Sequence, residues 1–311
     1  MLFFQSDPSL EQAGNDLLAA TWQQFPSLAR NQIALTWIVY DDPVIVNTGG
    51  AIKPEAFWQY PVRGFSYRGV ECLYPASVVK LFYLVAIQEW LDKEMIVGSP
   101  ELDRAIQDMI TESSNDATSL VVDWLSGTTS GPTLAPEIFS TWSHQRNIVN
   151  RYYAALGWPE LEGVNLNQKT WGDGPYGRER QFVGTELENR NRLSTNAIAR
   201  LLHSIIGGVA VSSGRSQAMM QLLHRDLTPV ALPPGEENQV MGFMGEGLPP
   251  SSKLWSKAGW TSRVRHDAAY IEVPGCAPFL LVVCTEGREN SQNRELLPFI
   301  GRTVVAKLQG A

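Results

Sequence analysis

A nearly unbroken apolar run from Leu81 to Leu91 is the feature that most constrains this 311-residue chain. Its first seven residues, Leu81 to Ile87, are apolar without exception. A helix that is apolar on all sides has to be buried by the rest of the fold. Lys80 directly precedes the run and Ser77 stands three residues before Lys80, so this buried helix has a serine and a lysine at its head.

Ser77 and Lys80 are close to one helical turn apart, so both side chains project from one face. Pro75 suits a first helical turn, because its missing N–H would have no partner there. Ser77 would then lie where free backbone N–H groups favour a developing negative charge. A hydroxyl beside an amine is a candidate activated nucleophile. The alternative is an ordinary helix cap followed by a solvated lysine, but an unpaired buried ammonium is costly.

Composition excludes several classes of function. Hydrophobic residues make up 44% and charged residues 18%, an ordinary globular balance. The formal net charge is −7 and no dense Lys/Arg cluster is present, which argues against nucleic acid as a partner. No apolar window is long enough to predict a membrane span. The N-terminus lacks the pattern of a signal peptide, which favours a cytoplasmic protein unless a leader is missing.

The order of predicted elements indicates the fold class. Strand-like segments at Ile33–Tyr40 and Val44–Val46 precede the buried helix, and others at 253–257, 263–273 and 279–285 come late. Helical patterns lie mainly between them. They cover Ser9–Gln24, Glu101–Met109, Ala117–Trp124, Pro136–Leu156, Ala197–Ile206, Ser216–His224 and Asn290–Leu308. The polar stretch 157–191 is predicted to be a lid or binding loop.

This order predicts an α/β (α+β) fold with an antiparallel sheet built from both chain ends and flanked by helices. An all-helical lobe is inserted in the middle. We expect residues 1–70 together with 212–311 to form the α/β lobe and residues 71–211 the helical lobe, with one catalytic site between them.

Two further motifs could complete a site around Ser77. Ser113 and Asn115 lie in a polar knot between two predicted helices, where both could point into a cleft. The alternative is an N-cap for the helix at Ala117. Lys257 and Gly259 lie at the end of a late strand, where glycine would let a ligand approach the backbone. The alternative for this lysine is an edge-strand charge that prevents aggregation.

Together, Ser77-x-x-Lys80, Ser113-x-Asn115 and Lys257-x-Gly259 resemble the motifs of the penicillin-recognising serine enzymes, most closely the class A β-lactamases. Passages around the motifs agree, notably 109–118 and 257–271. The resemblance spans nearly the whole chain and implies a β-lactamase/transpeptidase-like fold. It also implies a periplasmic location, against the missing signal pattern.

The resemblance implies a role for each matching residue. Ser77 would attack a carbonyl, with Lys80 as its proton acceptor and Ser113 as the relay to the leaving nitrogen. Asn115 would bind the substrate amide. Lys257 would hold Ser113 and attract a substrate carboxylate. The backbone N–H groups of Ser77 and Trp260 would form the oxyanion hole, and Gly259 would line the substrate site.

The sequence departs from the family pattern at three places. Ala258 replaces the hydroxyl residue that helps to bind a substrate carboxylate, and Thr261, Ser262 or Arg265 could compensate. The segment from Ser77 to Ser113 is shorter than in typical class A β-lactamases, which would cut back one wall of the cleft. The deacylating glutamate has no full motif, and its candidates are Glu179, Glu186 and Glu188, with Glu179 preferred.

The sequence therefore predicts a serine hydrolase that forms an acyl-enzyme with an amide such as a β-lactam or a D-Ala-D-Ala-type peptide. One alternative is a penicillin-binding DD-peptidase or esterase that β-lactams inhibit, and another is a non-turnover sensor domain. A Ser-His-Asp hydrolase is disfavoured, because no Gly-x-Ser-x-Gly motif is present. The expected partner is a small-molecule or peptide substrate, and no cofactor or metal is implied.

Overall fold

The structure is a computed structural model that describes residues 2–40, 52–228 and 238–310. The predicted strand at Val44–Val46 lies outside the described residues. The described residues form one seven-stranded sheet with the strand order β1-β3-β2-β7-β6-β5-β4. These strands are β1 (Phe4–Ser6), β2 (Ile33–Val39), β3 (Val62–Tyr67), β4 (His224–Arg225), β5 (Lys253–Thr261), β6 (Val264–Glu272) and β7 (Phe279–Glu286).

All neighbouring strands are antiparallel except β1, which runs parallel to β3. The centre of the sheet joins the two ends of the chain, because β2 pairs with β7 from Ile33↔Thr285 to Val39↔Phe279. The prediction of an antiparallel sheet from both chain ends is therefore confirmed, with the parallel edge strand β1 as an addition.

Helices cover both faces of the sheet and form the segment between β3 and β4. They are α1 (Pro8–Gln24), α2 (Pro54–Phe57), α3 (Lys80–Asp92), α4 (Pro100–Thr111), α5 (Asn115–Ser126), α6 (Pro136–Arg146), α7 (Ile148–Ala155), α8 (Gly177–Val183), α9 (Thr195–Ile206), α10 (Ser213–Leu223), α11 (Arg288–Gln292) and α12 (Leu296–Gln309). No helix among the described residues is long and apolar enough to cross a membrane.

The sheet is buried on both sides. One apolar cluster holds α3 and α9 against the alternate β7 residues Leu280 and Val282, and the other holds α1 and α12 against Leu281 and Val283. Successive side chains of a strand point to opposite faces, so β7 contributes to both clusters. This layered arrangement confirms the predicted fold class and buries α3, as its apolar sequence requires.

In two segments the structure differs from the prediction. The stretch 157–191 is not structureless, because it contains α8 and an antiparallel bridge between Asn165 and Arg192. Its polar side chains bond to one another, as where Asn167 Nδ2 donates to Asn165 Oδ1 and Asn189 Oδ1. The predicted C-terminal helix is two helices, α11 and α12. The division into two lobes stays a prediction.

Candidate active site

A cavity of about 240 Å³ brings the three sequence motifs together. It lies where the start of α3, the connection between α4 and α5, and β5 meet. Its lining comes from Ser77, Thr111, Glu112, Ser113, Asn115, Asn238, Gln239, Phe243, Ala258, Gly259 and Trp260. Residues far apart in sequence thus share one concave surface, which is the usual form of a small-molecule site.

The serine stands on a tight turn that leads directly into α3. Residues Ala76–Val79 form a single 3-10 turn and Lys80 begins the α-helix. Ala76 has φ of +46°, a left-handed conformation that is uncommon for alanine. Backbone strain of this kind persists only where the surroundings enforce it, and it is frequent at functional sites. Here it precedes Ser77 directly.

A buried histidine fixes the approach to that turn. Thr285 N–H donates to His266 Nδ1 at 3.1 Å, so the proton of a neutral imidazole is on Nε2, which donates to Tyr74 O at 2.9 Å. Burial lowers the pKa of His266 to about 4, which keeps the ring neutral near neutral pH. The imidazole therefore ties β6 and β7 to the segment that carries Ser77.

Lys80 is fully buried and is held by the connection between α4 and α5. Its Nζ donates to Asn115 Oδ1 at 3.0 Å, to Ser113 Oγ at 3.2 Å and to the Ser113 carbonyl. Burial lowers the pKa of Lys80 to about 7. A substantial fraction of this amine is thus neutral at neutral pH, as a proton acceptor requires.

Ser113 and Ser114, in the connection between α4 and α5, have separate roles. Ser114 Oγ accepts from Ala117 N at 3.1 Å and caps α5, so the N-cap alternative holds for Ser114. Ser113 has φ of +56° and points its hydroxyl elsewhere. Ser113 Oγ lies between two amines, 3.2 Å from Lys80 Nζ and 2.9 Å from Lys257 Nζ.

Lys257 on β5 is also fully buried. Besides Ser113 Oγ, its Nζ donates to Ala258 O at 2.8 Å and to Gln239 Oε1. Burial, followed by the charges of Lys80 and Arg225, lowers the pKa of Lys257 well below its usual value. Asp267 on β6 partly balances these charges, although burial raises its pKa to about 7.

Gly259 lets β5 contact the Ser77 turn. A Cβ at this position would lie 2.8 Å from Pro75 O and 3.0 Å from Val78 N. The Val78 side chain is as close, with Cγ2 at 3.0 Å, so the glycine allows β5 to pack closely against the turn itself. This approach brings the backbone of β5 close to the backbone that carries Ser77.

Of the three predicted site residues Trp260, Thr261 and Arg265, one lines the cavity and two do not. Trp260 lines the cavity, and its Nε1 donates to Ser291 O at 3.1 Å. Thr261 is not in the lining, and its Oγ1 accepts from Arg263 N. Arg265 is buried, outside the lining, and donates to Ser291 O at 2.8 Å and to Gly242 O at 3.2 Å.

Glu179, the preferred deacylation base, lies in a buried ion network outside the cavity lining. Its carboxylate accepts from Arg146 at 2.8 and 3.1 Å and from Ser130 Oγ at 2.8 Å. Lys169 lies 4.0 Å from Glu179 and 2.8 Å from Asp123. The structure therefore does not bring Glu179 to Ser77. The other two candidates, Glu186 and Glu188, are exposed and also outside the lining.

Sequence patterns did not identify five of the lining residues, which are Thr111, Glu112, Asn238, Gln239 and Phe243. Gln239 accepts from Lys257 while its Nε2 donates to Ile110 O and Thr111 O, both at 2.8 Å. Asn238 and Phe243 lie beside it in the irregular segment before β5. The usable signal was the polar run from Glu236 to Gln239, directly before a glycine-rich and apolar segment. Within the described ranges, no cluster of His, Cys, Asp or Glu is arranged to hold a metal ion.

Comparison with known proteins agrees with this fold. The model of the β-lactamase enzyme family matches residues 97–308. A β-lactamase from Sphaerobacter thermophilus is similar in structure, with a TM-score of 0.61 and 17% identity over 94% of this chain and 96% of that one. PBP-A has a TM-score of 0.64 and 15% identity over 99% and 98% of the two chains. An ancestral class A β-lactamase (GNCA) has a TM-score of 0.59 and 17% identity, over 94% and 98%.

Among curated proteins, none matches the chain significantly. The identities to the solved structures are low, so those likenesses establish the fold. The family model covers well over half of the sequence, and its match includes the Ser113 and Lys257 motifs. The chain therefore belongs to the β-lactamase enzyme family.

Proposed function

We propose that this protein is a serine hydrolase that acts through an acyl-enzyme on Ser77. The observation that carries the proposal is the position of Ser113 Oγ, 3.2 Å from Lys80 Nζ and 2.9 Å from Lys257 Nζ, in a cavity that Ser77 also lines. A hydroxyl between two amines of lowered pKa suits a proton relay.

Acylation begins when neutral Lys80 accepts the proton of Ser77 and the serine oxygen attacks the substrate carbonyl. The backbone N–H groups of Ser77 and Trp260 stabilise the oxyanion. As the tetrahedral intermediate collapses, the bond to the leaving group breaks, and the proton passes from Lys80 through Ser113 to that group. Asn115 holds the substrate amide. The products are an ester on Ser77 and a protonated leaving group.

Water completes the cycle by hydrolysing the ester, and this step is slow. Glu179 is committed to Arg146 and does not line the cavity. Glu112 is the carboxylate among the described lining residues, and it is exposed to solvent. Without a held general base, a water molecule attacks the ester slowly. The geometry thus favours a penicillin-binding peptidase or esterase over a fast β-lactamase.

The cleft lies between two parts of the chain that we propose as lobes. Ser77, Lys80, Ser113 and Asn115 belong to the helical lobe, residues 71–211. Thr111 and Glu112 of the lining also belong to it, and the α/β lobe, residues 1–70 together with 212–311, supplies the lining from residues 238–243 and 258–260. Substrate would enter between the lobes as a small molecule or a peptide.

Intact-mass spectrometry over time tests the proposal. The protein is mixed with a fluorescent penicillin and, separately, with a chromogenic cephalosporin, and S77A is the control. We expect a long-lived adduct of one penicillin on Ser77, and none on S77A. Steady colour from the cephalosporin would refute slow deacylation. Absence of an adduct, with ester hydrolysis unchanged in S77A, would refute the mechanism.

A further inference from the structure

Gln239 uses both ends of its carboxamide inside the protein. Its Nε2 donates to Ile110 O and to Thr111 O, each at 2.8 Å. Its Oε1 accepts from Lys257 Nζ and, at 3.4 Å, from Ala258 N. The reversed amide would place its oxygen against two carbonyls and its NH2 group against an amine, so these contacts fix its orientation. One side chain therefore joins β5 to the end of α4.

The end of α4 leads directly into the connection that carries Ser113. The last carbonyls of a helix have no partner within the helix, and Gln239 supplies donors to two of them. Arg225 supports the same place, because its guanidinium donates to Ile110 O at 3.0 Å as well as to a carbonyl of β5. Of these two bridges, the one through Gln239 also contacts Lys257 Nζ, which lies 2.9 Å from Ser113 Oγ.

The contact with Gln239 helps to direct Lys257. The Lys257 ammonium has three N–H bonds, and its Nζ donates to Gln239 Oε1, to Ala258 O at 2.8 Å and to Ser113 Oγ at 2.9 Å. With two of these bonds held by Gln239 and Ala258, the third is directed at Ser113. Without the Gln239 oxygen, Lys257 would lose one of the contacts that hold its Nζ beside Ser113.

The direction of this N–H bond matters when the leaving group is protonated. As Ser113 gives its proton to the leaving group, its oxygen gains negative charge until Lys80 hands over another proton. An N–H bond from Lys257 stabilises that charge. The leaving nitrogen of an amide needs this proton, whereas an arylthiolate leaves as an anion.

We propose that Gln239 is a positioning residue for acylation, which directs Lys257 at Ser113 while it fixes the end of α4. The proposal rests on the proposed acyl-enzyme function and adds a residue to its proton relay. Its basis is the four contacts that one carboxamide makes with β5 and α4. Loss of the Gln239 oxygen should therefore slow acylation where the leaving group requires a proton.

Two acyl donors with different leaving groups test this role. With a fluorescent penicillin, Ser77 Oγ bonds to the carbonyl carbon, the C–N bond breaks, and the nitrogen takes up the proton that Ser77 gave up. With the benzoylglycyl thioester of 3-mercaptobenzoate, the C–S bond breaks, the thiolate leaves, and the serine proton passes from Lys80 to solvent. Adduct fluorescence and thiolate absorbance report the two reactions. Both donors bear a carboxylate, and the limiting rates at saturating donor are compared, so differences in binding cancel.

The first variant, Q239M, removes the oxygen and keeps an unbranched side chain. We expect it to slow acylation by penicillin about 10- to 100-fold and acylation by the thioester less than about threefold. The control, Q88M, makes the same substitution at a buried glutamine of α3 outside the cavity lining, and both of its rates should stay within about twofold of wild type. Equal slowing with both donors in Q239M would indicate a structural loss alone and overturn the proposal.

A second variant separates the two ends of the Gln239 carboxamide. Q239E keeps an oxygen for Lys257, whether ionised or protonated, but has at most one donor for the carbonyls of Ile110 and Thr111. We expect its penicillin-to-thioester rate ratio to stay within about threefold of wild type. An effect of its charge on Lys80 would alter both reactions alike. The same selective loss as in Q239M would overturn the role of the contact with Lys257.

The outcomes distinguish the positioning role from the proposed function. If wild-type protein is acylated by neither donor above the background of S77A, the proposed function itself is refuted. If wild-type protein is acylated by both donors and Q239M shows no selective loss, the role of Gln239 alone is overturned. Should Q239M fail to fold, Q239A, which also removes the oxygen, replaces it under the same criteria.

Discussion

The variant G259A tests whether the contact between β5 and the serine turn controls acylation. The added Cβ would lie 2.8 Å from Pro75 O, whereas ordinary contacts begin at 3.4 Å. The strand or the turn would therefore have to shift by about 0.6 Å, and misplacing reacting groups by about 1 Å can cost 10²-fold in rate. We expect acylation by a fluorescent penicillin to slow by about 10- to 100-fold.

The measurement is the second-order rate constant of acylation, from the fluorescence of the adduct in rapid-mixing experiments. Thermal unfolding is recorded in parallel, because overpacking of this kind costs about 1–3 kcal/mol. The control is G214A, since a Cβ at Gly214 on α10 meets nothing within 4 Å. We expect G214A to acylate at the wild-type rate. A G259A protein that is folded and acylates within about twofold of wild type would refute the reasoning.

Four further predictions follow from the site. Acylation should accelerate as the pH rises through about 7, because only the neutral amine of Lys80 accepts the serine proton; a flat pH–rate profile would contradict this role. S113A should slow acylation by about 10²–10⁴-fold in the same assay, and a smaller effect would remove Ser113 from the relay. E179Q should lower the free energy of unfolding by about 3–5 kcal/mol in chemical denaturation, yet leave the adduct lifetime unchanged, whereas a much longer lifetime would reinstate Glu179 as the base. H266L should slow acylation without weakening non-covalent penicillin binding, and a loss confined to binding would count against the positioning role of His266.

The site residues that belong to a short sequence motif could be predicted from the sequence. Ser77, Lys80, Ser113 and Lys257 stand in short patterns with fixed spacing, and the structure brings all four together. The long apolar run also predicted the burial of α3, because no exposed helix could have that composition.

The positions of Arg265 and Glu179 could not be predicted in this way. An alternating strand indicates which side chains share a face, but β6 is buried on both faces, so alternation did not distinguish solvent from core. Glu179 is buried by partners that precede it in sequence, Arg146 above all, and no local pattern shows such a pairing. The polar stretch around Asn167 suggested a loop, because side chains that bond to one another look the same in sequence as side chains that bond to water.

The pairing of β2 with β7 has a consequence for synthesis of the protein. A ribosome makes β2 early, but its partner β7 follows only after the entire helical segment. Until then the edge of β2 is an open template for aggregation, and such long-range pairing forms slowly. Lys257 and Gly259 also emerge late. If Ser77 is the proposed nucleophile, a nascent chain that already displays it would stay inert toward acylating compounds until these last strands have docked.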